Sequence, residues 1–90
     1  NKITGRIPAS IGNLKKLKSL NLSFNKLAGS IPAELGNATS LQSIELYMNM
    51  LSGTMPSSLG KLSKLETLSL FNNELTGNIP AEYYQLSNLK

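Results

Sequence analysis

The chain has 90 residues, 40% of them apolar, and a net charge of +4 from nine basic residues and five glutamates. It holds no cysteine and no histidine, which excludes disulfides, Cys- or His-based zinc sites and His-based catalytic triads. Its apolar runs are too short to cross a bilayer, and its lysines lack the density and interleaved aromatics of a nucleic-acid surface.

Read from the start, the chain repeats. Asn1, Gly5 and Pro8 return as Asn25, Gly29 and Pro32, as Asn49, Gly53 and Pro56, and as Asn73, Gly77 and Pro80, each 24 residues after the last. Leu17, Leu41, Leu65 and Leu89 keep the same step. Several residue types on one period mark a repeat architecture. Residues 1–16 are the last two-thirds of a unit, residues 17–40, 41–64 and 65–88 are complete units, and residues 89–90 open another. The whole, 1–90, is expected to be a single array without caps, cut from something longer.

Each unit opens on Leu-x-x-Leu-x-Leu. Leu68 and Leu70 lie two apart, so they face one side of a short strand while Thr67, Ser69 and Phe71 face the other. One such strand cannot stand alone, so the strands are expected to stack in parallel, with Leu22, Leu46 and Leu70 inward. An asparagine follows where the chain must turn. Its amide both donates and accepts, so Asn1, Asn25, Asn49 and Asn73 are expected to form a structural ladder that satisfies backbone groups of neighbouring units.

Glycine and then proline, three places on, shape the return of the coil. Apolar residues four apart in 31–35, 55–59 and 79–83 predict a short helical turn on the outer side. Three departures stand out. Ala38 replaces a leucine and thins the core, Met55 replaces the isoleucine before Pro56, and Tyr83-Tyr84 replaces Leu-Gly. Tyr83 is expected to fill the core slot and Tyr84 to project outward.

The stretch Leu27-Ala28-Gly29-Ser30-Ile31-Pro32-Ala33-Glu34-Leu35-Gly36, with Leu51–Gly60 and Leu75–Pro80, resembles the plant-specific class of leucine-rich repeats. The resemblance covers the chain, and Gly-x-Ile-Pro is its specific signature. It implies an α/β repeat fold, a right-handed solenoid with a concave parallel β-sheet and short 3-10 turns on the convex side, with an added short strand around the glycine. It also implies a role as receptor-kinase or receptor-like ectodomain, or as an inhibitor of cell-wall-degrading enzymes.

Function is expected on the concave side chains, which the repeat leaves free. Tyr47 and Phe71 share one slot on neighbouring strands, and Phe24 and Met48 lie in the next column. These four, with Glu45, Asn21, Ser69 and Asn72, are the candidate ligand-binding residues, since exposed aromatics beside methionine suit a binding hot spot. A purely structural account has the same rings cover sheet edges and turns. Two N-glycosylation sequons occur, Asn37-Ala38-Thr39 and Asn21-Leu22-Ser23, and Asn37 is favoured because Asn21 points from the sheet. No catalytic constellation is present: the glutamates fall in different slots, and the serines have no histidine base. No cofactor or metal is called for.

The expected partners are a peptide or protein ligand or a co-receptor ectodomain. Nucleic acid is not expected as a partner, nor does this segment look made for membrane contact. The expected setting is extracellular, at the cell surface or in the apoplast, within a longer chain. Two alternatives fit the same residues: a secreted inhibitor or wall-associated binder, and a structural protein self-associating end to end through uncapped ends.

Overall fold

The computed structural model describes residues 3–89, so Asn1, the first expected rung of the asparagine ladder, lies outside the described residues. The alternating segments form three short strands, β2 (Ser19–Asn21), β4 (Ser43–Glu45) and β6 (Thr67–Ser69). They pair in parallel in that order, and each residue meets the one 24 places on: Ser19 with Ser43 and Thr67, Leu20 with Ile44 and Leu68, Asn21 with Glu45 and Ser69. A register equal to the repeat stacks equivalent slots in columns. The ladder runs on past the strands, with Leu22 N–H donating to the Glu45 carbonyl at 2.9 Å and Phe24 N–H to the Tyr47 carbonyl at 3.1 Å. One coil later, Leu46 donates to Ser69 at 2.9 Å and Met48 to Phe71 at 3.0 Å.

A second parallel sheet contains β1 (Thr4–Gly5), β3 (Lys26–Gly29), β5 (Met50–Thr54) and β7 (Glu74–Thr76), in that order. Its partners are 22 residues apart, as in Thr4 with Lys26, Ala28 with Met50 and Ser52 with Glu74. The pairing therefore slips by 24 − 22 = 2 residues against the repeat. An even slip keeps inward side chains inward, so Leu27 and Leu51 stay buried while the two sheets of a coil are staggered.

Four 3-10 turns close the coils among the described residues: Ala9–Asn13, Ala33–Asn37, Ser57–Lys61 and Ala81–Gln85. Each begins just after the proline, and the last three start two residues later than the apolar spacing placed them. Proline holds the residue before it extended, lacks an N–H, and still offers its carbonyl. Pro32 accepts from Leu35 N–H at 3.1 Å, and Pro80 from Tyr83 N–H at 3.0 Å. The turns pack closely. A Cβ on Gly36 would overlap the Ser58 carbonyl oxygen and stand 2.8 Å from its carbon, so only glycine fits.

Leucines from every slot meet between the sheets and the turns, and the middle of the stack is driest. Leu35, Leu41, Ile44, Leu46, Leu51, Leu59, Leu62 and Leu65 have no exposed surface, whereas Leu22, Leu68 and Leu70 are partly buried. Full burial stabilises a leucine by about 2 kcal/mol, and here the fully buried leucines depend on neighbouring coils. Ala38 is fully buried. Tyr83 fills the leucine slot of the last turn at 6% exposure and donates its hydroxyl to the Pro56 carbonyl at 2.8 Å, and burial pushes its phenol up to about 12. Tyr84 projects into solvent.

Candidate functional site

The site starts at the turn after each strand of the β2-β4-β6 sheet. Phe24, Met48 and Asn72 occupy its left-handed position, with φ of 58°, 59° and 55°. Asparagine tolerates this region, whereas a bulky residue there is strained by about 1–2 kcal/mol. The next residue holds the turn shut. Asn49 accepts from Leu27 N–H at 3.1 Å and donates to the carbonyls of Leu46 at 3.0 Å and Leu22 at 2.9 Å. Asn73 repeats this with Leu51 N–H at 3.0 Å, Leu70 at 3.1 Å and Leu46 at 2.9 Å. Asn25 accepts from Ile3 N–H at 3.1 Å and donates to Leu22 at 2.8 Å. Each of these asparagines spans two coils.

The clamped turns carry a ridge of rings. Tyr47 and Phe71 stack at 4.7 Å between centroids and 6° between planes. Phe24 stands edge-on to Tyr47 at 5.3 Å and 79°. The middle coil thus has rings on both sides, each such pair adding about 0.5–1.5 kcal/mol beyond its buried area. Ser23, one coil before Tyr47 in the same slot, is buried, and its hydroxyl donates to Asn21 Oδ1 on the open sheet face at 2.6 Å. Phe24 meets Tyr47 from the following position, in the column next to it.

The ridge is open to solvent. Phe24 is 54% exposed, Phe71 57% and Met48 39%, with Tyr47 half-buried between the rings. Single exposed apolar residues are ordinary, but contiguous ones mark interaction surfaces. Two residues before Tyr47, on the same sheet face, Glu45 lies in register between Asn21 and Ser69, which sets one carboxylate beside the apolar ridge. Asn72 is exposed at the third left-handed position and makes the ridge polar at that end.

Sequence reasoning missed two features. The strained backbone at Phe24 and Met48 was signalled by Asn72 in the same slot, since asparagine favours that conformation. A shallow groove also runs beside the second sheet, lined by Arg6, Ser30, Glu34, Thr54 and Pro56. The Arg6 side chain lies across Gly29, close enough that a Cβ there would stand 3.1 Å from Arg6 Nε. Among the described residues, no group of His, Cys, Asp or Glu is arranged to hold a metal, and no helix is long and apolar enough to cross a membrane.

The Leucine Rich Repeat family profile matches residues 16–38, 40–62 and 64–86, each match beginning one residue ahead of the units cut above. No curated protein sequence matches significantly. Among solved structures, the chain is 43% identical to the ectodomain of the Arabidopsis receptor kinase HAESA in complex with an IDA peptide hormone, with a TM-score of 0.96 over 99% of this chain and 15% of that one. It is 38% identical to PEPR1 in the PEPR1-AtPEP1 structure, with a TM-score of 0.96 over 99% of this chain and 12% of that one. A plant ice-binding protein is also 38% identical, with a TM-score of 0.87 over 98% of this chain and 31% of that one. The chain therefore spans between 12% and 31% of these chains.

Proposed function

The chain belongs to the leucine-rich-repeat family, and on that premise we propose that it is a non-catalytic recognition segment of a plant cell-surface receptor ectodomain. It binds a peptide or protein ligand, or a co-receptor ectodomain, through the open, concave face of β2-β4-β6. It works outside the cell, at the surface or in the apoplast, with 17–40, 41–64 and 65–88 as its complete coils.

One observation carries this reading. The ridge Phe24–Tyr47–Phe71, extended by Met48, is exposed and contiguous, and it sits on backbone that two of its members strain. A fold under selection for stability alone would favour asparagine or glycine at these positions. Rings already stacked lose little freedom when a partner arrives, so affinity comes from preformed shape and a few anchors. Glu45, Asn21, Ser69 and Asn72 supply polar contacts around them. The receptor kinase HAESA was solved with a peptide hormone, which supports a peptide as one ligand class.

The test uses random linear peptides displayed on phage and panned on the immobilised chain. The best binder is synthesised and titrated against the parent, the double variant Tyr47→Ala/Phe71→Ala, and Tyr84→Ala as a control on the convex turn. The double variant is expected to weaken binding by about thirtyfold or more, as loss of a hot spot worth about 2 kcal/mol does, and Tyr84→Ala to leave it unchanged. Unaltered affinity in the double variant refutes the ridge as the anchor. The ridge also argues against ice as the ligand, although a plant ice-binding protein shares the fold. The chain is expected not to slow ice recrystallisation, and strong inhibition that survives loss of the ridge would replace the present reading.

A further inference from the structure

Sequon Asn37-Ala38-Thr39 lies where the 3-10 turn Ala33–Asn37 ends. Its middle residue is fully buried, while Asn37 and Thr39 are both exposed. Ala38 thus anchors the tripeptide in the core and turns its two reactive side chains outward. Neighbouring coils steady it from both sides. Lys15 Nζ donates to the Asn37 carbonyl at 2.7 Å, and Lys61 Nζ to Asn37 Oδ1 at 3.4 Å. Asn37 Nδ2, the atom a glycan would take, has no hydrogen-bond partner among the described residues.

The second sequon is built differently. Asn21 stands on β2, on the open sheet face, in register with Glu45. Its Oδ1 accepts from both the backbone N–H of Ser23, at 3.1 Å, and the Ser23 hydroxyl, at 2.6 Å. Ser23 itself is buried. The hydroxyl that a transferase must engage is therefore already committed, and a sugar on Asn21 would stand over the strands.

We propose that Asn37 is an N-glycosylation site and Asn21 is not, a proposal that rests on the extracellular reading above. In the transfer, Asn37 Nδ2 attacks the anomeric carbon of a lipid-diphosphate-linked oligosaccharide. The new C–N bond replaces the C–O bond to phosphate, the lipid diphosphate leaves, and the amide proton passes to a base of the transferase. Oδ1 is untouched, so the Lys61 contact is compatible with the glycan. The equivalent slots of the other coils hold Asn13, Lys61 and Gln85, none of which heads a sequon, so this slot carries one glycan. A sugar there shields the outer turn of the second coil from partners and leaves the sheet face open.

The test expresses the 90-residue chain behind a secretory leader in a mammalian cell line. Secreted and membrane-retained pools are both digested with peptide-N-glycosidase in heavy-oxygen water and mapped by mass spectrometry. The expected result is one glycan, on Asn37, lost in Asn37→Gln and in Thr39→Ala and kept in Asn21→Gln. Label on Asn21, a glycan that survives Asn37→Gln, or no glycan in either pool overturns the proposal. The leader imposes the route, so an absent glycan here indicts the site. Immunolocalisation of the native protein inside the cell, with Asn37 modified in this assay, would instead indict the extracellular reading.

Discussion

Replacing Asn49 by alanine tests whether the coils are bound by their asparagines. Asn49 accepts from Leu27 N–H and donates to the carbonyls of Leu22 and Leu46. After Asn49→Ala those two carbonyls keep other amide donors, Asn25 at 2.8 Å and Asn73 at 2.9 Å. Leu27 N–H keeps none of its own, and Leu27 is only 3% exposed, so water does not replace the lost partner. An orphaned buried donor costs about 2 kcal/mol and the thinned contacts about 1 more, giving a loss of about 3 kcal/mol. Asn25→Ala is the internal control. It orphans Ile3 N–H, but Ile3 is 53% exposed, so water steps in and the loss stays near about 1 kcal/mol. Urea unfolding followed by circular dichroism measures both. Equal losses at the two positions, or a loss under about 1 kcal/mol at Asn49, would refute the reasoning.

Three further outcomes are expected. Met48→Asn relieves the left-handed strain at φ 59° and raises stability by about 1 kcal/mol in the same urea assay, while weakening the phage-selected peptide; a variant that loses stability contradicts the strain argument. Gly36→Ala drives a methyl into the Ser58 carbonyl and lowers stability by about 3 kcal/mol, whereas a melting temperature within a degree or two of the parent would mean that the turns can separate. Burial raises the Tyr83 phenol from 10.0 to about 12, so its contribution is fully present below pH 10 and is lost as pH climbs toward 12. An alkaline unfolding titration should show that limb in the parent and a flatter one in Tyr83→Phe, which also loses about 1 kcal/mol with the bond to Pro56.

Much of the stack was legible because repetition lets residue types vouch for one another. Pro32 read alone is a turn; read with Pro56 and Pro80 it marks equivalent points on successive coils. The inward leucines, Tyr83 in a leucine slot and the contact of Tyr47 with Phe71 all follow from slot arithmetic. What stayed hidden depends on backbone angles, which the side-chain pattern records only where an asparagine such as Asn72 marks the slot. The register of 22 in the second sheet is set by how the coils lean, and any even slip would satisfy the same leucines. The left-handed backbone that carries Phe24 is likewise a conformation rarely read from a phenylalanine. The turns start later than expected because the proline carbonyl, rather than the preceding isoleucine or methionine, sets their first hydrogen bond.

The near-constant separation of hydrogen-bonded partners has a mechanical consequence. Cross-coil bonds join residues 22 to 27 positions apart, so tension applied at the two ends loads the same short connections at every level. Peeling one coil frees its 24 residues, roughly 80 Å of slack at full extension, while the coil beneath remains closed. Stretched in an optical trap, the molecule should lengthen in regular jerks of that size, like a spring that fails one winding at a time.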